Sequence, residues 1–121
     1  MTRLPIFLIF AILITSISLP VFGESITDHV VINEVDTNPF GDDSQSITEW
    51  VEIFNPTDSE VDLSGWKIAS TTVLKKTLTI SDGVVIFPDQ ILKFTYDNIW
   101  FTDSGESVEL RNSLDEVIDK T

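Results

Sequence analysis

Beyond residue 28, apolar side chains recur at every second position in most of the chain. In Trp50-Val51-Glu52-Ile53-Phe54, Val51 and Ile53 share one side while Trp50, Glu52 and Phe54 share the other, which is the period of a strand. Asn55-Pro56 ends that run, because proline lacks the N–H a ladder needs, and Asp58 and Ser59 favour a turn. A second run starts at Val61 with Leu63 on the same face, reverses at Ser64-Gly65 and resumes with Trp66 and Ile68. Residues 29–35 are nearly continuous in apolar side chains, which predicts a strand inside a sheet rather than at its edge. Leu78 and Ile80 share a face, and Ser81-Asp82-Gly83 predicts a bulged hairpin from there into residues 84–87. Pro88-Asp89-Gln90 breaks the chain before residues 91–96, where Leu92, Phe94 and Tyr96 face together. Asp97-Asn98 turns into a short run at residues 99–101. Val108 and Leu110 point inward from residues 107–111, and a turn at residues 112–115 leads into a last run at 116–119.

Nowhere after Gly23 do apolar residues recur at three and four over a helix length. Roughly seven to nine short strands, spaced about ten residues apart, predict an all-β sandwich or barrel. Its expected core includes Val51, Ile53, Leu63, Trp66 and Leu110. The last run ends almost at the terminus, which leaves either a slightly truncated sequence or an unprotected edge strand.

A different pattern precedes residue 24. After Met1-Thr2-Arg3 the chain is almost wholly apolar from Leu4 to Phe22, and Val21-Phe22-Gly23 is small at the positions a signal peptidase reads. Residues 1–23 are therefore expected to be a secretory signal peptide cleaved after Gly23, followed by a polar leader at 24–28 and one domain at 29–121. Were the segment retained, it would be the only membrane contact, and with Arg3 its only nearby basic residue the rest of the chain would still lie outside the cytoplasm. The expected location is secreted, or the outer side of the cell surface.

Removing 23 of the 121 residues leaves 98, enough for one domain. With no cysteine there is no disulfide framework and no thiolate metal site, so the core alone must hold the fold. The processed chain would keep all 20 acidic residues and lose Arg3 from the seven basic ones, for a formal charge of −14. That charge excludes nucleic acid as a partner, since such binding depends on lysine and arginine displacing counterions from phosphate. An extracellular protein or a surface polymer remains.

Candidate chemistry is sparse. His29, the only histidine, has no serine motif beside it, so no nucleophile and base pair is in view. Asn33, Glu34, Glu52 and Asn55 read as turn caps and cross-strand partners. The long loop at residues 36–46 offers hard oxygen ligands in Asp36, Asn38, Asp42 and Asp43, the type calcium prefers. Asp36, Asn38 and Gly41 match the first, third and sixth places of a calcium loop, but Phe40 occupies the fifth and Ile47 the twelfth, so only weak calcium binding is expected. No other cofactor is expected. Among aromatics, Phe40 at the loop tip and Trp100 with Phe101 beside a turn are the expected exposed contact residues. N-linked sugar is excluded by Pro56 in Asn55-Pro56-Thr57 and by Leu114 in Asn112-Ser113-Leu114.

Four blocks in order carry a family likeness: Val31-Ile32-Asn33-Glu34-Val35; Glu49-Trp50-Val51-Glu52-Ile53 with Asn55; Val61-Asp62-Leu63-Ser64-Gly65-Trp66; and Gly105-Glu106-Ser107-Val108-Glu109-Leu110 with Val117-Ile118-Asp119. Together they resemble the lamin tail domain, in particular its secreted prokaryotic version, over about residues 29–121. The resemblance implies an immunoglobulin-like β-sandwich without catalytic activity. In secreted microbial proteins that domain is an accessory module beside hydrolases or at cell surfaces, and in animals a protein-interaction domain of the nuclear lamina. The expected function is therefore a non-catalytic extracellular interaction or structural module. The alternative is a carbohydrate- or weakly calcium-binding module acting beside a secreted hydrolase.

Overall fold

A computed structural model describes residues 28–37, 39, 49–96, 99–102 and 105–121. The expected signal peptide, most of the leader and most of the 36–46 loop lie outside these residues. The described residues form nine strands and no helix: β1 (Val31–Asp36), β2 (Trp50–Phe54), β3 (Val61–Asp62), β4 (Lys67–Ser70), β5 (Thr77–Thr79), β6 (Val85–Ile86), β7 (Ile91–Thr95), β8 (Val108–Arg111) and β9 (Val117–Lys120). All pairings are antiparallel. One sheet has the order β1-β2-β7, the other β5-β4-β8-β9, and β3-β6 forms a short third ladder between them. The result is an immunoglobulin-like β-sandwich, and the alternating pattern explains its dry layer. Val51 and Ile53 of β2, Ile68 of β4, and Val108 and Leu110 of β8 have no exposed surface, while Ile32, Leu92 and Phe94 pack against them. Leu63 is equally buried, and Trp66 is only partly covered at the margin of that core.

Three sequence expectations need correction. The strand at residues 29–35 is not interior, since among the described residues β1 has β2 as its only ladder partner and lies at the edge of its sheet. Its apolar continuity has another cause. β1 runs along the seam against β9, where the Ile32 N–H donates to Asp119 Oδ2 at 2.7 Å, so both of its sides are partly covered.

The second correction concerns the turn at residues 81–83, which does not close a hairpin between β5 and β6. β5 pairs with β4, and β6 with β3. Residues 61–70 and 77–86 instead form one long bent hairpin that crosses from the small ladder to the four-stranded sheet and is closed at residues 71–76. Bonds from Leu63 N–H to Val84 O and from Gly65 N–H to Ile80 O keep the two arms together through the bend, and the Ser64 hydroxyl accepts the Gly83 N–H. At the bend the Trp66 N–H returns to Leu63 O, and Gly65 at φ +73° takes the left-handed position this turn requires. The third correction is that residues 99–101 are not a strand.

The turn after β2 is built by Asn55, which is fully buried. Its Nδ2 donates to Ser59 O at 2.8 Å and Ile86 O at 3.2 Å, and its Oδ1 accepts the Thr57 N–H and hydroxyl. A buried amide needs all of these partners, and the Asn-Pro-Thr turn supplies most of them locally.

Candidate functional site

Trp100 and Phe101, expected to be exposed, belong to the core instead: neither has exposed surface. Trp100 stacks between Tyr96, with ring centroids 5.3 Å apart, and Phe101, at 4.7 Å. The cause lies in a residue that the sequence placed in a family block but to which it gave no role. Glu49, only 9 % exposed, precedes β2, and its Oε2 accepts the backbone N–H of Trp100 and, at 2.8 Å, that of Phe101. Burying two amides outside any ladder demands such an acceptor. The only available signal was an acidic residue directly before a strand.

The third expected contact aromatic, Phe40, lies outside the described residues, as do Asn38, Asp42 and Asp43. Asp36 closes β1 opposite Trp50. Among the described residues, no three acidic, histidine or cysteine side chains gather as a metal site would require. His29 pairs with its neighbour Asp28 at 3.0 Å on the surface.

The sequence blocks around Asn33 and Glu52 form part of a face. Strand register aligns side chains across the outer side of β1-β2-β7. One row is polar: Glu52 accepts from Asn33 Nδ2 at 3.3 Å and pairs with Lys93 Nζ at 3.4 Å. The Lys93 ammonium also lies 3.8 Å from the centroid of the Trp50 ring and covers that face of it. A parallel row is apolar, with Val31 opposite Phe54 and Phe54 opposite Ile91. It ends on β7 at Ile91, which is 49 % exposed; Phe87, in the turn that leads into β7, is 54 % exposed. Among the described residues β7 has a strand on one side only.

Two concavities lie on the described surface. On the four-stranded sheet a hollow of about 500 Å³ lies among Lys67, Lys75, Thr77 and Arg111. Its cations are largely engaged, because Lys67 pairs with Asp115 at 3.0 Å and Arg111 with both Glu109 and Asp115. The hydrogen bond and charge of Lys67 hold the Asp115 carboxyl below its ordinary value. Near the seam of β1 and β9 a second hollow, of about 410 Å³, is walled by Trp66, Val61 and Ile118. Among the described residues, no group is poised as nucleophile and base.

Among models of known protein families, that of the Lamin Tail Domain matches residues 24–121. No curated protein matches the chain significantly.

Proposed function

The chain belongs to the lamin tail domain family, a family of non-catalytic immunoglobulin-like modules, and from that premise we propose that it is an interaction module acting outside the cytoplasm, which holds another protein. The observation that carries this reading is the apolar row Val31, Phe54 and Ile91, which ends on the edge strand β7 with Ile91 half exposed, together with exposed Phe87 in the turn before that strand. An open strand beside exposed apolar side chains can take up an extended segment by backbone pairing, with alternate side chains conferring specificity. The location rests on the apolar segment at residues 4–22.

Both halves are testable. The chain recovered from the medium of producing cells should have an intact mass that starts at Glu24, and a mass that includes residues 1–23 would make it an anchored protein. Immobilised wild type should retain proteins from the cell surface or medium that a Phe87→Ser/Ile91→Ser variant with an unchanged melting temperature releases. Equal retention by the two rejects the β7 surface. A signal on a glycan array, dependent on calcium and without protein capture, assigns the chain to the carbohydrate-binding alternative.

A further inference from the structure

The hollow at Trp66 differs from its counterpart on the other sheet in charge. Asp28 and Asp58 stand at its rim and no lysine or arginine lines it. Its apolar lining comes from Trp66, Val30, Val61 and Ile118, and His29, Thr57 and Ser59 line it beside the two aspartates. Each carboxylate binds one neighbour within the chain: Asp28 the His29 ring at 3.0 Å and Asp58 the Ser59 hydroxyl at 3.0 Å. The surrounding molecule carries a formal charge of −13. An alkyl stem against indole and aliphatic carbon, ending in a cation beside two carboxylates, is the complement of this site.

We propose that the Trp66 hollow receives a lysine or arginine side chain from a basic segment of a partner protein, with Asp28 and Asp58 facing its charge. This rests on the reading of the chain as a protein-binding module and specifies the partner's chemistry. The negative field of the whole molecule draws such a segment in, and the hollow selects one side chain of it. The hollow at Lys67, Lys75 and Arg111 is lined by cations and has no corresponding demand for a basic ligand.

The test is a titration of the full 15N-labelled chain with an acetylated, amidated pentapeptide carrying lysine at its centre and glycine elsewhere, followed by amide and indole resonances. Arginine, norleucine and glutamate peptides serve as comparisons. The lysine and arginine peptides should shift the Trp66 indole N–H and the amides of residues 57–61 together, with saturation. The norleucine peptide, with a similar stem and no charge, should bind about five-fold more weakly, and an Asp28→Asn/Asp58→Asn variant of unchanged melting temperature should lose a similar factor towards lysine. Equal binding of norleucine and lysine overturns the proposal, as does a lysine response spread over all acidic surfaces or unchanged in the variant. Shifts produced by N-acetylglucosamine but not by the peptides would make the hollow a sugar site. Failure of this titration leaves the β7 reading intact, because the Phe87→Ser/Ile91→Ser variant should bind the lysine peptide as wild type does.

Discussion

Glu49 shows how much a single side chain can decide. Its carboxylate gathers the Trp100 and Phe101 amides and so lets a segment without strand pairing enter the core. Glu49→Ala leaves two buried donors without an acceptor and should lower stability by about 3 kcal/mol, measured by chemical denaturation, while Glu49→Gln, which keeps a carbonyl, should lose about 1 kcal/mol. A loss below ~1 kcal/mol for Glu49→Ala would mean that these amides are satisfied another way. Period two in the sequence places Val51 and Ile53 correctly because neighbours along one strand dictate their faces. The same reasoning failed for Trp100, since its environment comes from a residue 51 positions away. Trp66 is intermediate: local alternation turns it towards the core, and the edge position of that turn leaves part of the ring at a hollow.

At the scale of elements, the bent hairpin of residues 61–70 and 77–86 depends on its corner and its closing loop. Gly65→Ala meets no crowding, with Ser113 Cβ at an ordinary 3.6 Å, but the left-handed φ of +73° should cost about 1 to 2 kcal/mol in a thermal or denaturant melt. The loop at 71–76 is tied down by Glu106, whose Oε1 accepts the N–H of Val73 at 2.8 Å and of Leu74 at 3.0 Å. Burial raises the Glu106 carboxyl, but these amides, with those of Thr102 and Lys75, together outweigh it, and the group titrates below its ordinary 4.5. A depressed carboxyl stabilises the fold fully above its unfolded value and loses that contribution as pH falls through the lower, folded one. The stability gap between wild type and Glu106→Gln should therefore be constant above about pH 5 and shrink below about pH 4.5. A gap independent of pH would show that the charge of Glu106 is not what holds the loop. Turn residues in the sequence marked the bend on both arms, at Ser64-Gly65 and at Ser81-Asp82-Gly83, but not the closing loop at 71–76. Ser81-Asp82-Gly83 is compatible with a tight hairpin and with a bend between sheets, and only the pairing of β5 with β4 distinguishes them.

For the molecule as a whole, a formal charge of −13 on a chain without cysteine opposes compaction. Salt screens that repulsion, so raising NaCl from about 0.01 to 0.2 M should raise the melting temperature by a few degrees, and a fall would show that the pairs at Lys67, Lys93 and Arg111 outweigh it. The charge also frames the two proposed binding surfaces. The β7 side offers apolar contact, and the Trp66 hollow offers the negative end of a complementary pair. Composition and periodicity alone determined that the chain is all-β, a sandwich or a barrel, with Val51, Ile53, Leu63 and Leu110 facing its core, since alternation is a property of each strand by itself and every strand must bury one face. Four ordered blocks determined the family in the same way. Which strands lie at the edges, which turn closes the long hairpin, where Trp100 goes and which carboxylates stand beside Trp66 were decided only by tertiary structure. Each depends on groups far apart in the chain, and their meeting is settled by ladder pairing and by the need of buried amides for acceptors rather than by any local pattern.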